Sequence, residues 1–244
     1  MPQAFIVSRN DFLDTFLTPI IKISNQVDYL NFEWDDGELK TLVPYENKVF
    51  LLASHKPLKN EGDGDTFYLR EPNRLRDVVS MMPDDFIPIK VDTAKLSSKT
   101  KGFSMNFMLV DPMVGSRGNT SALSTKRAKD LSPVKRFTVD KKALQKIKKT
   151  VMSFRSPDVV VSFESIDDSV WVSMEFSGEE VRFDLEVQAP PDLDRYDFAA
   201  SVFNLLDAKS DVSVSMDTNH KILMLDIEHD NSYLRYIVTQ KKPQ

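Results

Sequence analysis

Cysteine is absent from this sequence, which excludes disulfides, thiolate catalysis and cysteine-ligated zinc or iron–sulfur centres, and fits a reducing compartment. The three histidines, His55, His220 and His229, share no metal-ligand spacing. No apolar run approaches the roughly 18 residues needed to span a bilayer. The N-terminal MPQAFIVSRNDF also lacks the basic start, apolar stretch and cleavage site of a leader, so the expectation is a cytoplasmic protein without a membrane partner. Gly115-Ser116-Arg117-Gly118 lacks the Gly-Lys-Ser/Thr ending of a phosphate-binding loop. Glu61, Asp63 and Asp65 lack the full calcium-loop pattern. The acidic pairs Asp35-Asp36 and Asp167-Asp168 both sit between strand-like runs, where Asp is a turn former. No cofactor, metal or catalytic residue is therefore expected.

The 244 residues are enough for one large domain or two ordinary ones. Thirty-two basic against 37 acidic residues leave a net charge of −5, so the molecule as a whole is repelled by a polyanion. Contact with nucleic acid would need a segregated basic surface. One stretch provides it. In Asp140–Arg155, DKKALQKIKKTVMSFR, helical spacing puts Ala143, Leu144, Ile147, Val151 and Phe154 on one stripe. Lys141, Lys142, Lys146, Lys148 and Lys149 cover most of the remainder, and Asp140 stands where an N-cap would accept backbone N–H groups. Alone, such a helix also reads as an ordinary solvated surface.

The order of elements along the chain adds weight. Phe5–Ser8 reads as a strand, followed by a helix carrying Phe12, Leu13, Phe16, Leu17 and Ile20 that Pro19 is expected to kink or end. Strands are expected at Val27–Trp34, Leu39–Val43, Val49–Ser54 and Thr66–Leu69, a helix near Pro72–Met82, and strands at Phe86–Val91 and Phe103–Val110. Residues 112–134 lose all period and read as a connector. The order then restarts: a strand at Arg136–Val139, the lysine helix, strands over 159–187, a helix at Leu193–Ala208, and three final strands. At an offset of 132, Phe5, Val7, Phe12, Asp35 and Asp36 match Phe137, Val139, Leu144, Asp167 and Asp168. At an offset of 125, Leu75, Val78, Met81, Ile87 and Ile89 match Ala200, Phe203, Leu206, Val212 and Val214. This reads as an internal duplication. Each copy, 1–111 and 135–244, would be an α+β domain with an antiparallel sheet covered on one face by two helices.

Two such copies joined by a polar connector, each opening Phe-x-Val before a helix, resemble the DNA sliding clamps, the ring-shaped polymerase processivity factors. Length and two domains per chain are most similar to the T-even-type bacteriophage clamp, in whose case the compartment would be the host cytoplasm. The resemblance implies a DNA-clamp fold and a homotrimeric ring around duplex DNA, bound without sequence readout. It also implies a replicative DNA polymerase and a clamp loader as partners. On that pattern the five lysines would line the channel, with Arg155, Arg9, Lys22, Arg74 and Arg76 as further DNA-binding candidates. Acids on the other helices, Asp11, Asp14, Asp77, Asp192, Asp194 and Asp197, would weaken the field there. The protomer interface would pair Phe103, Met105, Phe107 and Leu109 of one chain with Val181, Phe183, Leu185 and Val187 of the next. Partner tails would dock near Val114, Leu123, Leu131, Tyr236 and Val238. Two other readings stay open: a β-rich virion or scaffold protein that only assembles, and a metal-dependent nuclease with carboxylates gathered from distant strands.

Overall fold

Strict alternation makes Gln3–Ser8 a strand (β1), with Phe5 and Val7 buried between less buried neighbours. The computed structural model describes residues 3–24, 29–45, 49–62, 66–114, 128, 130–131, 135–191, 193, 195–207, 209–217 and 222–239. The chain divides into two units, Met1–Lys129 with Glu228–Leu234, and Asp130–Ile227 with Arg235–Gln244. Val27, Asp63, Asp65, Gly115–Gly118, Leu123, Asp192, Asp194 and His220 lie outside the described residues.

In the first unit β1 leads into one continuous helix, α1, built from segments Arg9–Asp11, Phe12–Leu17 and Thr18–Ser24. The strands that follow are β2 (Tyr29–Asp35), β3 (Glu38–Tyr45), β4 (Val49–His55), β5 (Lys59–Glu61) and β6 (Phe67–Arg70). Helix α2 (Pro72–Met81) precedes β7 (Phe86–Val91), β8 (Lys95–Thr100) and β9 (Phe103–Val110). These strands form an antiparallel sheet in the order β4-β3-β2-β6-β9-β8-β7-β1-β5. Helix α1 packs on β3, β4 and α2 through Phe12, Phe16, Leu17 and Ile20. Strands β5 and β8 were not foreseen, because KNE and KLSSKT carry almost no apolar alternation.

The second unit holds β10 (Lys135–Val139), α3 (Lys141–Ser153), β11 (Val160–Ile166), β12 (Ser169–Phe176), β13 (Glu179–Gln188), β14 (Tyr196–Ala199), α4 (Ser201–Leu205), β15 (Val212–Asp217), β16 (Ile222–Glu228) and most of β17 (Ser232–Thr239). One sheet runs β10-β15-β16-β17 and the other β13-β12-β11-β14. A buried ion pair braces the last strands, with Arg235 Nε 2.9 Å from Asp226 Oδ1 and Nη2 3.0 Å from Oδ2.

Strand register supports the duplication and corrects its details. Phe5 faces Ile89 and Val7 faces Ile87 in the first unit. Phe137 faces Val214 and Val139 faces Val212 in the second, the same pairs at the expected offsets. The acidic pairs, however, do not superpose. The first hairpin turns on Asp36-Gly37 between Asp35 and Glu38, the second on Asp167-Asp168 between Ile166 and Ser169, so the working offset there is 131. All four turn residues have positive φ, as a two-residue hairpin loop requires. The missing residue is found in α1. Its Phe12–Leu17 segment is a π-turn, in which Thr18 N–H reaches back to Leu13 O. Phe12 matches Leu144 at 132, whereas Phe16 and Ile20 match Ile147 and Val151 at 131, all six buried. This wider turn also accommodates Pro19, expected to kink or end the helix, which instead continues to Ser24.

A second correction concerns the last helix. Tyr196–Ala199 is a strand, and α4 has only five residues against ten in α2. Asp197 therefore sits on β14, accepting from Ser162 Oγ and Arg195 Nε, and not on a helix. The helix C-caps Met82 and Leu206 are both extended and buried, while Met81 is exposed, so Met82 and not Met81 is the counterpart of Leu206.

The first unit carries a buried polar chain under α1. His55 Nδ1 lies 2.8 Å from Ser232 Oγ, and Thr15 Oγ1 lies 2.8 Å from both Ser232 Oγ and Asp11 Oδ1. The rings of Phe12 and Phe16 flank the imidazole at 5.1 and 5.5 Å. Burial pushes His55 down to about 4, against the opposing pull of Asp11. The folded form thus keeps the imidazole neutral where the unfolded chain, at about 6.5, takes up a proton. Stability should fall as pH drops from 6.5 towards 4, by a total of about 3 kcal/mol. Thermal melts of wild type and His55→Gln across that window should show a pH-dependent difference that is confined to it; parallel curves would dismiss this account.

Candidate nucleic-acid interface

Three apolar residues orient the lysine helix. Leu144, Ile147 and Val151 are buried, each contributing about 1.5–3 kcal/mol, and leave the opposite face of α3 to solvent. Asp140 caps the helix by accepting the Ala143 N–H at 2.7 Å, and Asp211 accepts the Lys141 N–H at 2.9 Å. Lys141, Lys142, Lys146 and Lys149 are exposed, as is Arg155 just past the helix end. Lys141, Lys142, Lys149 and Arg155 form no ion pair with any described residue. Lys142 and Lys149 stand two turns apart, about 10 Å along the axis.

The other cationic candidates are used differently. Lys148 is half-buried, and its Nζ donates to Leu206 O at 2.6 Å, tying α3 to the end of α4. Lys146 Nζ sits 3.8 Å over the Phe183 ring, which keeps its charge at the surface while covering an aromatic face. Arg9 donates to Met82 O and pairs with Asp85 at 3.6 Å, pinning α1 to the segment after α2. Arg74 pairs with Glu71 at 3.1 Å and Arg76 with Asp77 at 2.6 Å. Lys22 is exposed and has no ion pair among the described residues, but shares α1 with exposed Asp14. Of the cationic candidates named from the sequence, those exposed and without an ion pair to a described residue therefore lie mainly on α3 and at its end.

The expected interface strands keep open edges. Residues Phe103–Met108 of β9 pair with β8 alone, since β6 reaches only Leu109 and Val110. Strand β13 ends its sheet, pairing with β12 alone. Its regular ladder runs from Glu179 to Asp184; beyond it the register shifts, and Glu186, at φ 58°, donates its N–H to Asp184 Oδ1. Leu185 and Val187 thus belong to a bulge, a device that ends pairing on an edge. Val181 is exposed and Phe103, Phe107 and Leu109 are partly so, whereas Met105, Phe183 and Leu185 fill their own units.

The expected docking residues need the largest correction. Tyr236 and Val238 are each 1% exposed, core residues of β17 that no partner side chain can reach. Burial, with Asp207 nearby, pushes the pKa of the Tyr236 phenol well above its usual value. Leu131 is half-buried and its carbonyl accepts from Arg235 Nη1, while Val114 is exposed. Among the described residues no cluster of three or more His, Asp or Glu could hold a metal, and no helix is long and apolar enough to cross a membrane.

This arrangement of strands and helices has solved counterparts. A structure of A. fulgidus PCNA bound to the C-terminal region of FEN-1 matches with a TM-score of 0.76 at 13% identity, over 99% of each chain. The fold is that of the sliding clamps. PCNA from Thermococcus kodakaraensis matches at 0.73 and 12% identity over 98% of this chain and all of that one. The β subunit of DNA polymerase III from Thermotoga maritima matches at 0.70 and 9% identity, with this chain spanning 65% of its length. No protein-family model and no curated protein matches the sequence. Within the clamp fold, Lys148 and Lys142 should behave differently. Lys148→Ala removes the donor to Leu206 O and should lower stability by about 1 kcal/mol in urea unfolding, whereas Lys142→Ala and Lys149→Ala should be neutral.

Proposed function

We propose that this protein is a DNA sliding clamp, which encircles duplex DNA as a homotrimer and tethers a replicative polymerase. The observation that carries the reading is the cationic face of α3, whose exposed Lys141, Lys142 and Lys149 form no ion pair with any described residue, in a chain of net charge −5 with the clamp fold. Contacts from lysines to phosphates hold a duplex without reading its bases, and therefore permit movement along it. Lys141, Lys142 and Lys149 would contact DNA, with Lys146, Arg155 and Lys22 beside them. Arg9, Lys148, Arg74 and Arg76 serve the protein's own packing and surface pairs.

Assembly by strand pairing is supported by the two open edges. The six residues Phe103–Met108 and the six of Glu179–Asp184 offer unpaired N–H and C=O groups of matching length. A head-to-tail contact that closes on itself satisfies both without producing a filament. Two domains per chain, 1–111 and 135–244 about the 112–134 connector, suit the trimer of the T-even-type phage clamp. PCNA is bound by the C-terminal region of FEN-1 in one matching structure, and we infer that polymerase and clamp-loader tails bind this chain in a similar manner. Val114 and Leu131 remain available for that contact. Opening of the ring would fall to a separate loader, and the site of action would be the cytoplasm, of the host if the source is a phage.

Light scattering over a concentration series should give a species near three times the 27.9 kDa chain mass. The double variant Lys142→Glu/Lys149→Glu should keep that mass and lose processive synthesis by its polymerase. Its DNA affinity should also fall less steeply with salt, the slope dropping by about 2 per protomer engaged. An oligomer of unchanged mass that is indifferent to DNA and polymerase would instead indicate an assembly protein.

A further inference from the structure

The first unit has a basic hollow on the sheet face turned away from α1, and strand register defines it. Residues directly opposite in an antiparallel ladder share a face. Lys90 faces Ser97, Lys99 faces Ser104, Ala4 faces Lys90, and Ile6 faces Pro88 and Lys59. These side chains line a concavity of about 490 Å³. The same face extends to Lys95, opposite Met108. Glu61 is the one acid among the described lining residues, and Lys59 already holds it at 2.6 Å. Lys90 and Lys99 are exposed and have no ion pair with any described residue.

The hollow has a backbone cause. Leu58 N–H donates to Ile6 O, so Ile6 turns its peptide groups towards β5 and its opposite, Pro88, turns its own towards β8. Proline has no N–H to give. The β7–β8 ladder accordingly consists of Lys90↔Ser97 and Val91↔Leu96, and the strands part from Pro88 onward. Phe86–Ile89 and Ser98–Thr100 thus present unpaired strand edges beside the lysines, around an apolar floor of Ala4, Ile6 and Pro88.

We propose that this hollow binds an extended acidic peptide segment of a partner protein. Acids at every second position of an extended chain fall on one side about 6.6 Å apart, the spacing of Ser97 and Lys99 along β8. The peptide's backbone meets the open strand edges, and its intervening side chains fall on the opposite side of its pleat from the acids. Lys90 and Lys99 supply charge complementarity on a molecule whose net charge otherwise repels acidic partners. An apolar floor and strand edges fit a peptide better than a phosphate backbone.

The test uses the full-length protein and a fluorescein-labelled peptide alternating Glu with Leu, read by fluorescence anisotropy. Lys90→Glu/Lys99→Glu should weaken binding at least tenfold, and Lys90→Gln/Lys99→Gln should weaken it less, both with unchanged thermal melts. Lys142→Glu/Lys149→Glu should bind the peptide as wild type does. Equal binding of a peptide in which Lys replaces Glu, or peptide affinity indifferent to Lys90 and Lys99, would overturn the proposal. Loss of duplex-DNA binding in the Lys90/Lys99 variants without loss of peptide binding would overturn it as well, marking the face as a nucleic-acid surface.

Discussion

Burial of Leu144, Ile147 and Val151 decides where the charge of α3 goes. A helix has one orientation that hides three adjacent apolar side chains, and the energy of hiding them, several kcal/mol together, exceeds the mutual repulsion of solvent-screened lysines on the far side. The basic face is thus a by-product of the hydrophobic stripe, held in place by the core. Asp140 and Asp211 reinforce it from the helix start, where they satisfy free N–H groups and favour the dipole. An acid on the exposed face itself would cancel what the core has arranged, and α3 has none there.

The same economy applies to backbone hydrogen bonds. Most strands in both units spend their N–H and C=O groups on neighbours, so the places where they do not are informative. Three such places are the outer edge of β9, the regular stretch of β13, and the gap that Pro88 opens between β7 and β8. The first two fit pairing between copies of the chain, and the third fits an added peptide. The bulge at Leu185–Val187 limits how far any pairing along β13 can extend.

Much of this is legible in the sequence. Alternation in QAFIVS and helical spacing in ALQKIKKTV determine which residues are buried, and the matched order of elements exposes the duplication. What escaped depends on distant neighbours. Lys148 looks like its fellow lysines until the Leu206 carbonyl, 58 residues later, comes within 2.6 Å. The resemblance to the clamps put Tyr236 and Val238 at a docking groove, but Tyr236, Ile237 and Val238 are buried in succession. The stretch after Ala189 mixes a strand period, Tyr196 and Phe198, with a helical one, Val202, Phe203 and Leu206, and a single period fitted through both misses the boundary. Lys99 is hidden in the sequence because β8 lacks the apolar alternation that marks a strand, and Lys90, on the expected strand β7, gains its meaning only when β8 brings Ser97 and Lys99 to the same face.

The π-turn in α1 has a bearing on how the two halves came to differ. An extra residue inserted into a strand would reverse every side chain beyond it, exchanging core for surface. Inserted into a helix, it is taken up as one wide turn, and the strands on either side keep their register, as the conserved facing of Phe5 with Ile89 and Phe137 with Val214 demonstrates. Helices in this architecture act as slack in an otherwise rigid weave. They let each copy lengthen or shorten by single residues while the sheets that define it stay in step.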